Sequence, residues 1–136
     1  MSVSDWLKPV LALLMLTPLP AVAQTAPPVP NNSEMEALFA ADQAPRVASG
    51  ATVDWSVVGP ADEARRTRTR ALLDSGALRT TDDFYNASVI FQHGTTANDY
   101  MLAHTLAIVA AARGRADAAW MAAASLDRYL QAVGHA

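Results

Sequence analysis

Cysteine is absent from this 136-residue chain, lysine occurs once (Lys8), and no apolar run approaches the roughly 18 to 20 residues that a membrane-spanning helix needs. Without cysteine there is no disulfide and no lipid-modified cysteine, so the fold must hold by burial alone. No HExxH spacing, no GxSxG elbow and no glycine-rich phosphate loop occurs either. These gaps remove the commonest local signatures of zinc hydrolases, serine hydrolases and nucleotide-binding folds. With a formal net charge of −3, nothing calls for nucleic acid.

What is present begins with an export signature. Lys8 precedes the apolar run "VLALLML" (residues 10–16), then "TPLP" breaks the helix and Ala21-Val22-Ala23 supplies the small-x-small pattern of signal peptidase sites. Residues 1–23 are expected to be a signal peptide cleaved before Gln24, which implies a periplasmic or secreted protein with no membrane span after cleavage. The net charge then stays at −3, because Asp5 and Lys8 leave together. The Ala-rich, Lys-poor composition fits a bacterial source with a GC-rich genome. Residues 24–32, "QTAPPVPNN", read as a proline-rich tether. Residues 33–136, with 51% hydrophobic content in the whole chain, suffice for one domain and not two.

Glycines and capping residues divide that domain into helices. Ser33 and Glu36 make a capping-box pattern for a first helix to about Gln43, which Pro45 should close. Residues 46–59 read as a loop whose Trp55 and Val57 dip into the core. Pro60 suits the first position of a second helix ending at Gly76. Thr80 or Thr81 caps a third over about 82–92, stopped by Gly94, and Thr96 with Asp99 caps a fourth that ends at Gly114. Because the fourth is nearly apolar all round, it is expected at the centre of the bundle. The fifth carries the stripe Ala119, Ala122, Leu126, Leu130 and Val133 to Gly134 and folds back as an antiparallel αα-hairpin. The fold class is therefore all-α, a compact bundle of about five helices.

Three groups of residues could carry chemistry. His93 ends the third helix, where the dipole favours an imidazolium and where it could also act as a general acid or base. His104 lies one turn beyond Tyr100 inside the apolar fourth helix, where a lone imidazole most often satisfies an interior hydrogen bond. Asp127 sits near the edge of the fifth helix's stripe and needs a partner, with His104, Arg128 or an arginine of the second helix as donors. His93, His104 and Asp127 are the candidate catalytic residues, with Asp42 as the other orienting carboxylate. Gln92, Asp99, Tyr100, Arg128, Asp42 and Arg46 are the candidate binding residues. No metal site and no cofactor is expected. The cluster "ARRTRTR", with Arg65, Arg66, Arg68 and Arg70, points in scattered directions around a helix, and Asp62 and Asp74 lie four residues from Arg66 and Arg70; it reads as a solvated face rather than a phosphate site.

The segments "LFAADQAPR" (38–46), "VDW" (53–55), "DEARRTRTRALLDSGAL" (62–78), "DDFYNASVIFQHG" (82–94), "DYMLAHTLA" (99–107) and "AAWMAAASLDRYLQAVG" (118–134) together resemble a bacterial domain-of-unknown-function family found on exported proteins. Phe91-Gln92-His93-Gly94, Asp99-Tyr100 with Leu102-Ala103-His104, and Asp127-Arg128-Tyr129-Leu130 carry most of the likeness. The resemblance implies an all-helical domain and no established activity. It also implies a Phe-Gly-Thr-Gln-like tail after Gly134, which a chain ending at Ala136 lacks, as a truncated member would. The functional expectation is an exported module that binds a protein or envelope partner beside the third to fifth helices. The alternative is a small hydrolase or metal-assisted enzyme using His93 and His104, which requires both rings to open into one cleft.

Overall fold

A computed structural model describes residues 27–47 and 52–135, so the expected signal peptide, the first part of the expected tether and part of the 46–59 segment lie outside the described residues. Five helices follow in order: α1 (Ser33–Val47), α2 (Trp55–Asp74), α3 (Thr81–Gln92), α4 (Ala97–Ala112) and α5 (Ala118–Ala132), with no strand among the described residues. The domain is an all-α bundle. Among the described residues no helix is long and apolar enough to cross a membrane.

The capping boxes of α3 and α4 form as the sequence requires. Thr80 and Thr96 each accept from the backbone of a residue three ahead, while Asp83 and Asp99 return a bond to the cap. Gly76, Gly114 and Gly134 take positive φ and end α2, α4 and α5. Gly94 serves a different need. A Cβ there would lie 2.3 Å from the Cβ of Asp99, so only glycine lets the end of α3 approach the start of α4 this closely.

Three boundaries differ from expectation. α1 is capped by Asn32, one residue earlier than Ser33, through a 2.9 Å bond from Met35 N–H to Asn32 Oδ1. It also runs past Pro45 to Val47, because Arg46 donates to the Asp42 carbonyl at 2.6 Å and holds the last turn from the side chain. α2 starts at Trp55 rather than Pro60, since the Asp54 carboxylate caps Ser56 N–H at 3.0 Å. As a result Trp55 and Val57 do not dip into the core; they are 64% and 65% exposed.

The central helix is α3, not α4. It packs against all four other helices, whereas α4 lies against α3 and α5. The 12 residues of α3 carry two apolar faces: Ala87, Ile90 and Phe91 join Met35, Leu72 and Leu106 on one side, while Val89 meets Ala107, Met121 and Ala122 on the other. A helix buried on both flanks needs two faces of this kind. α4 and α5 form the antiparallel hairpin. His104 meets the Ala122 carbonyl and Arg128 lies over the Tyr100 ring, contacts that run in opposite chain directions. On α5 burial centres on Ala118, Met121, Ala122 and Ser125, so Ala119 is exposed and Val133 is 40% exposed, unlike the stripe expected for them.

Asp83 ties the bundle's beginning to its middle. Its carboxylate, 1% exposed, accepts from the backbone N–H groups of Asn32 (2.8 Å), Arg79 (2.9 Å) and Thr80 (3.0 Å). Burial alone would raise its pKa, but these three donors outweigh burial and hold it below the ordinary carboxylate value. A carboxyl depressed in the folded state contributes stability that is fully present above its unfolded pKa of about 3.9 and is lost as pH falls through the folded value. Asp83→Ala should cost about 2–4 kcal/mol in denaturant unfolding at pH 7. Asp83→Asn should show a shallower loss of melting temperature than wild type between pH 5 and pH 2; an unchanged slope would remove Asp83 as a source of acid lability.

Candidate functional site

Helices end with carbonyls that have no partner in the next turn. At the C-terminal end of α3 three successive carbonyls are each met by a side chain from a different helix. Arg128 of α5 donates to the Gln92 oxygen at 2.9 Å, Arg66 of α2 to the His93 oxygen at 3.0 Å, and the Tyr100 hydroxyl of α4 to the Gly94 oxygen at 3.0 Å. The two guanidinium groups also complement the negative end of the helix dipole. The Phe-Gln-His-Gly signature is thus the point where the bundle is gathered.

His93 turns its ring toward α1. Its Nδ1 lies 2.9 Å from Asp42 Oδ2 and 3.1 Å from Oδ1. A carboxylate only accepts, so Nδ1 carries the proton here, and Nε2 has no partner among the described residues. Asp42, 1% exposed, also accepts from Gln43 Nε2 at 2.8 Å, with Arg46 3.4 Å and Arg65 3.7 Å away. Arg46 then donates to Asp62 at 2.6 Å, and Arg65 donates to the other Asp62 oxygen. Burial raises the Asp62 pKa, yet hydrogen bonds from Arg46 and Arg65 bring it below the ordinary value. This network of two carboxylates, two arginines and one imidazole joins α1, α2 and α3. Each charge in it has a partner, the condition under which buried charge is tolerated.

The arginine cluster of α2 is not a uniform solvated face. Arg65 is held in this network, Arg66 reaches His93, Arg68 pairs with Glu34, and Arg70 lies 5.1 Å from the Phe91 ring centre. Asp74 makes no pair with Arg70 among the described residues; Asp62 turns inward because α1 supplies Arg46.

The structure does not gather His93, His104 and Asp127. His104 Nδ1 lies 2.9 Å from the Ala122 carbonyl, so that nitrogen is a donor and the ring bridges α4 to α5. Asp127 is exposed and accepts from Gln131 of its own helix at 2.7 Å, rather than from His104 or an arginine. His93 instead faces Asp42 of α1. Asp99 is committed to its capping bonds, with Oδ2 accepting from Thr96 Oγ1 at 2.8 Å, and the Gln92 side chain accepts from Ser125 Oγ at 2.6 Å. Ser125 is fully buried, which removes it as a nucleophile. No group of three or more His, Asp or Glu side chains able to hold a metal ion occurs among the described residues.

The residues that do converge surround a cleft of about 340 Å³ where α1, α3 and α5 meet. Phe39, Tyr85, Val89, Met121 and Trp120 supply apolar surface, while Gln43, Gln92, His93 and Arg128 supply polar groups. Trp120 is 71% exposed at the rim. Burial, then the nearby Asp117 carboxylate, pushes the Tyr85 hydroxyl pKa up, so this hydroxyl stays a neutral donor. Tyr85, Val89 and Gln92 follow helical spacing along one face of α3, a pattern visible in the sequence. That Phe39 and Trp120 would close over the same face is decided by packing.

No protein-family model matches the chain, and no match was found among curated proteins or solved structures.

Asp42→Ala should destabilise by about 3 kcal/mol or more, because it removes the acceptor of His93 Nδ1 and Gln43 Nε2 and leaves Asp62 as the one carboxylate facing Arg46 and Arg65. His104→Ala should cost only about 1–2 kcal/mol through the lost bond to α5. The two effects should add in the double variant, as for separate sites. A coupling well above 1 kcal/mol in denaturant unfolding would instead join them in one functional unit.

Proposed function

We infer that this chain is an exported helical interaction module, and that the cleft between α1, α3 and α5 receives an extended protein segment from an envelope partner. The single observation carrying this reading is the 71% exposed Trp120 at the edge of a cleft that also offers Phe39, Tyr85 and Met121. A large aromatic left in solvent beside apolar walls is the composition of a binding hot spot. Arg128 and His93 at the same edge suit a carboxylate next to the partner's apolar side chain. The signal-like residues 1–23 support the compartment, and the motif likeness to exported domains agrees with it. Small size and the lack of a nucleophile beside His93 favour binding over turnover.

One observation favours a second reading. The pairing of His93 Nδ1 with Asp42 resembles the way hydrolases orient a general base, and His93 lines the cleft. This would be a water-activating site that uses His93 and Asp42, without His104.

A peptide display selection separates the two. The binding reading expects enriched sequences with an aromatic or aliphatic residue beside an acidic one, and an affinity loss of at least about tenfold in Trp120→Ala and in Arg128→Gln. No enrichment over an unrelated helical protein would sink it. Ester or amide turnover abolished by both His93→Gln and Asp42→Asn would establish the second reading instead.

A further inference from the structure

α4 has no charged side chain between Asp99 and Arg113, yet it stands at the edge of the bundle. Its buried residues are Ala103, Leu106, Ala107 and Ala110. At 100° per residue the opposite face consists of Met101, Thr105, Ile108 and Ala112, spaced four, three and four apart, which is the seam spacing of a helix that packs on another helix. Thr105 and Ala112 are exposed, Met101 is half-buried and Ile108 is 49% exposed. The surface continues onto α5. The opposite flank of that helix, with Trp120 and Arg128, lines the cleft toward α1 and α3. Exposed Ala119 and Ala123 therefore lie on the flank next to α4. Two neighbouring helices each carry more apolar face than the fold covers, and the surplus lies side by side.

We propose that this face pairs with a second copy of the chain, α4 against α4 in antiparallel array about a twofold axis. The residues match each other in size under that symmetry. Met101 opposes the partner's Ala112 and Thr105 opposes the partner's Ile108, large against small, whereas a parallel pair would set methionine on methionine and alanine on alanine. In that array the helix dipoles also oppose. Thr105 donates its hydroxyl to the Met101 carbonyl of its own helix at 2.9 Å, so covering it leaves no donor unmet. A bilayer surface fits less well, since it calls for cations flanking the apolar face. The cations at this end are already engaged: Arg113 donates to the Arg79 carbonyl at 2.7 Å and lies over Phe84, and Arg115 pairs with Asp82 and Asp117. Two helices about 24 Å long and about 9 Å apart offer a footprint of several hundred Å² per copy, at the low end of specific interfaces. An interface of that size belongs with weak, transient associations.

Sedimentation of the purified protein from about 1 to 300 µM should show the average mass rising toward twice the chain mass. Ile108→Arg should weaken association at least about 100-fold with helicity and melting temperature unchanged, because a charge would be buried unpaired in the seam. Trp120→Ala, at the separate cleft, should associate like wild type. As the chain has no cysteine, a Met101→Cys/Ala112→Cys variant should oxidise to a covalent dimer, while Met101→Cys alone should not, its two copies lying about 16 Å apart along an antiparallel seam. A monomer throughout the concentration range, an Ile108→Arg protein that still dimerises, equal cross-linking by Met101→Cys alone, or a monomer that instead adsorbs to lipid vesicles would each overturn the proposal.

Discussion

Three carbonyl groups at the end of α3 organise this protein. A partly buried helix terminus leaves strong acceptors with no partner in the next turn, and each of these finds a side-chain donor. Here the donors come from three other helices: Arg128, Arg66 and the Tyr100 hydroxyl. Meeting that one requirement fixes α2, α4 and α5 around α3. The close approach of Gly94 to Asp99 follows from the same geometry, since the chain must turn at once into α4.

The residues that look most like machinery in the sequence are largely consumed by this architecture. Gln92, Tyr100, Arg128 and Asp99 each satisfy a backbone or side-chain group of the bundle. His104 does the same for the Ala122 carbonyl. His93 differs in one respect. Its Nδ1 serves the buried network through Asp42, while the ring still borders a cleft.

The placement of α4 follows from a competition between two apolar segments. Both α3 and α4 could fill the centre. α3 takes it with its polar side chains satisfied: Ser88 donates to the Tyr85 carbonyl at 2.6 Å, and Gln92 accepts from Ser125. α4 is then left at the edge with an uncharged outward face. Among the described residues only Arg65 Nε and Thr69 Oγ1 are buried without a hydrogen-bond partner, whereas an apolar face of α4 is left uncovered.

How much of this was legible beforehand depends on how local the physics is. Glycine stops and Thr/Asp capping boxes act within four residues, so helix count, the ends of α3 and α4, the all-α class and the terminal hairpin could be read from the chain. The overrun of α1 past Pro45 and the early start of α2 were hidden, because their causes are the reach of Arg46 and the cap at Asp54, and helical patterning records neither. The pairing of His93 with Asp42, 51 residues away, was open among several carboxylates, and Asp127 had equal claim by composition. Sequence alone determined which segments wind and where they stop. Only the tertiary structure decided which helix lies at the centre, which carboxylate each cation meets and which apolar face stays bare, because these depend on the simultaneous satisfaction of distant buried groups.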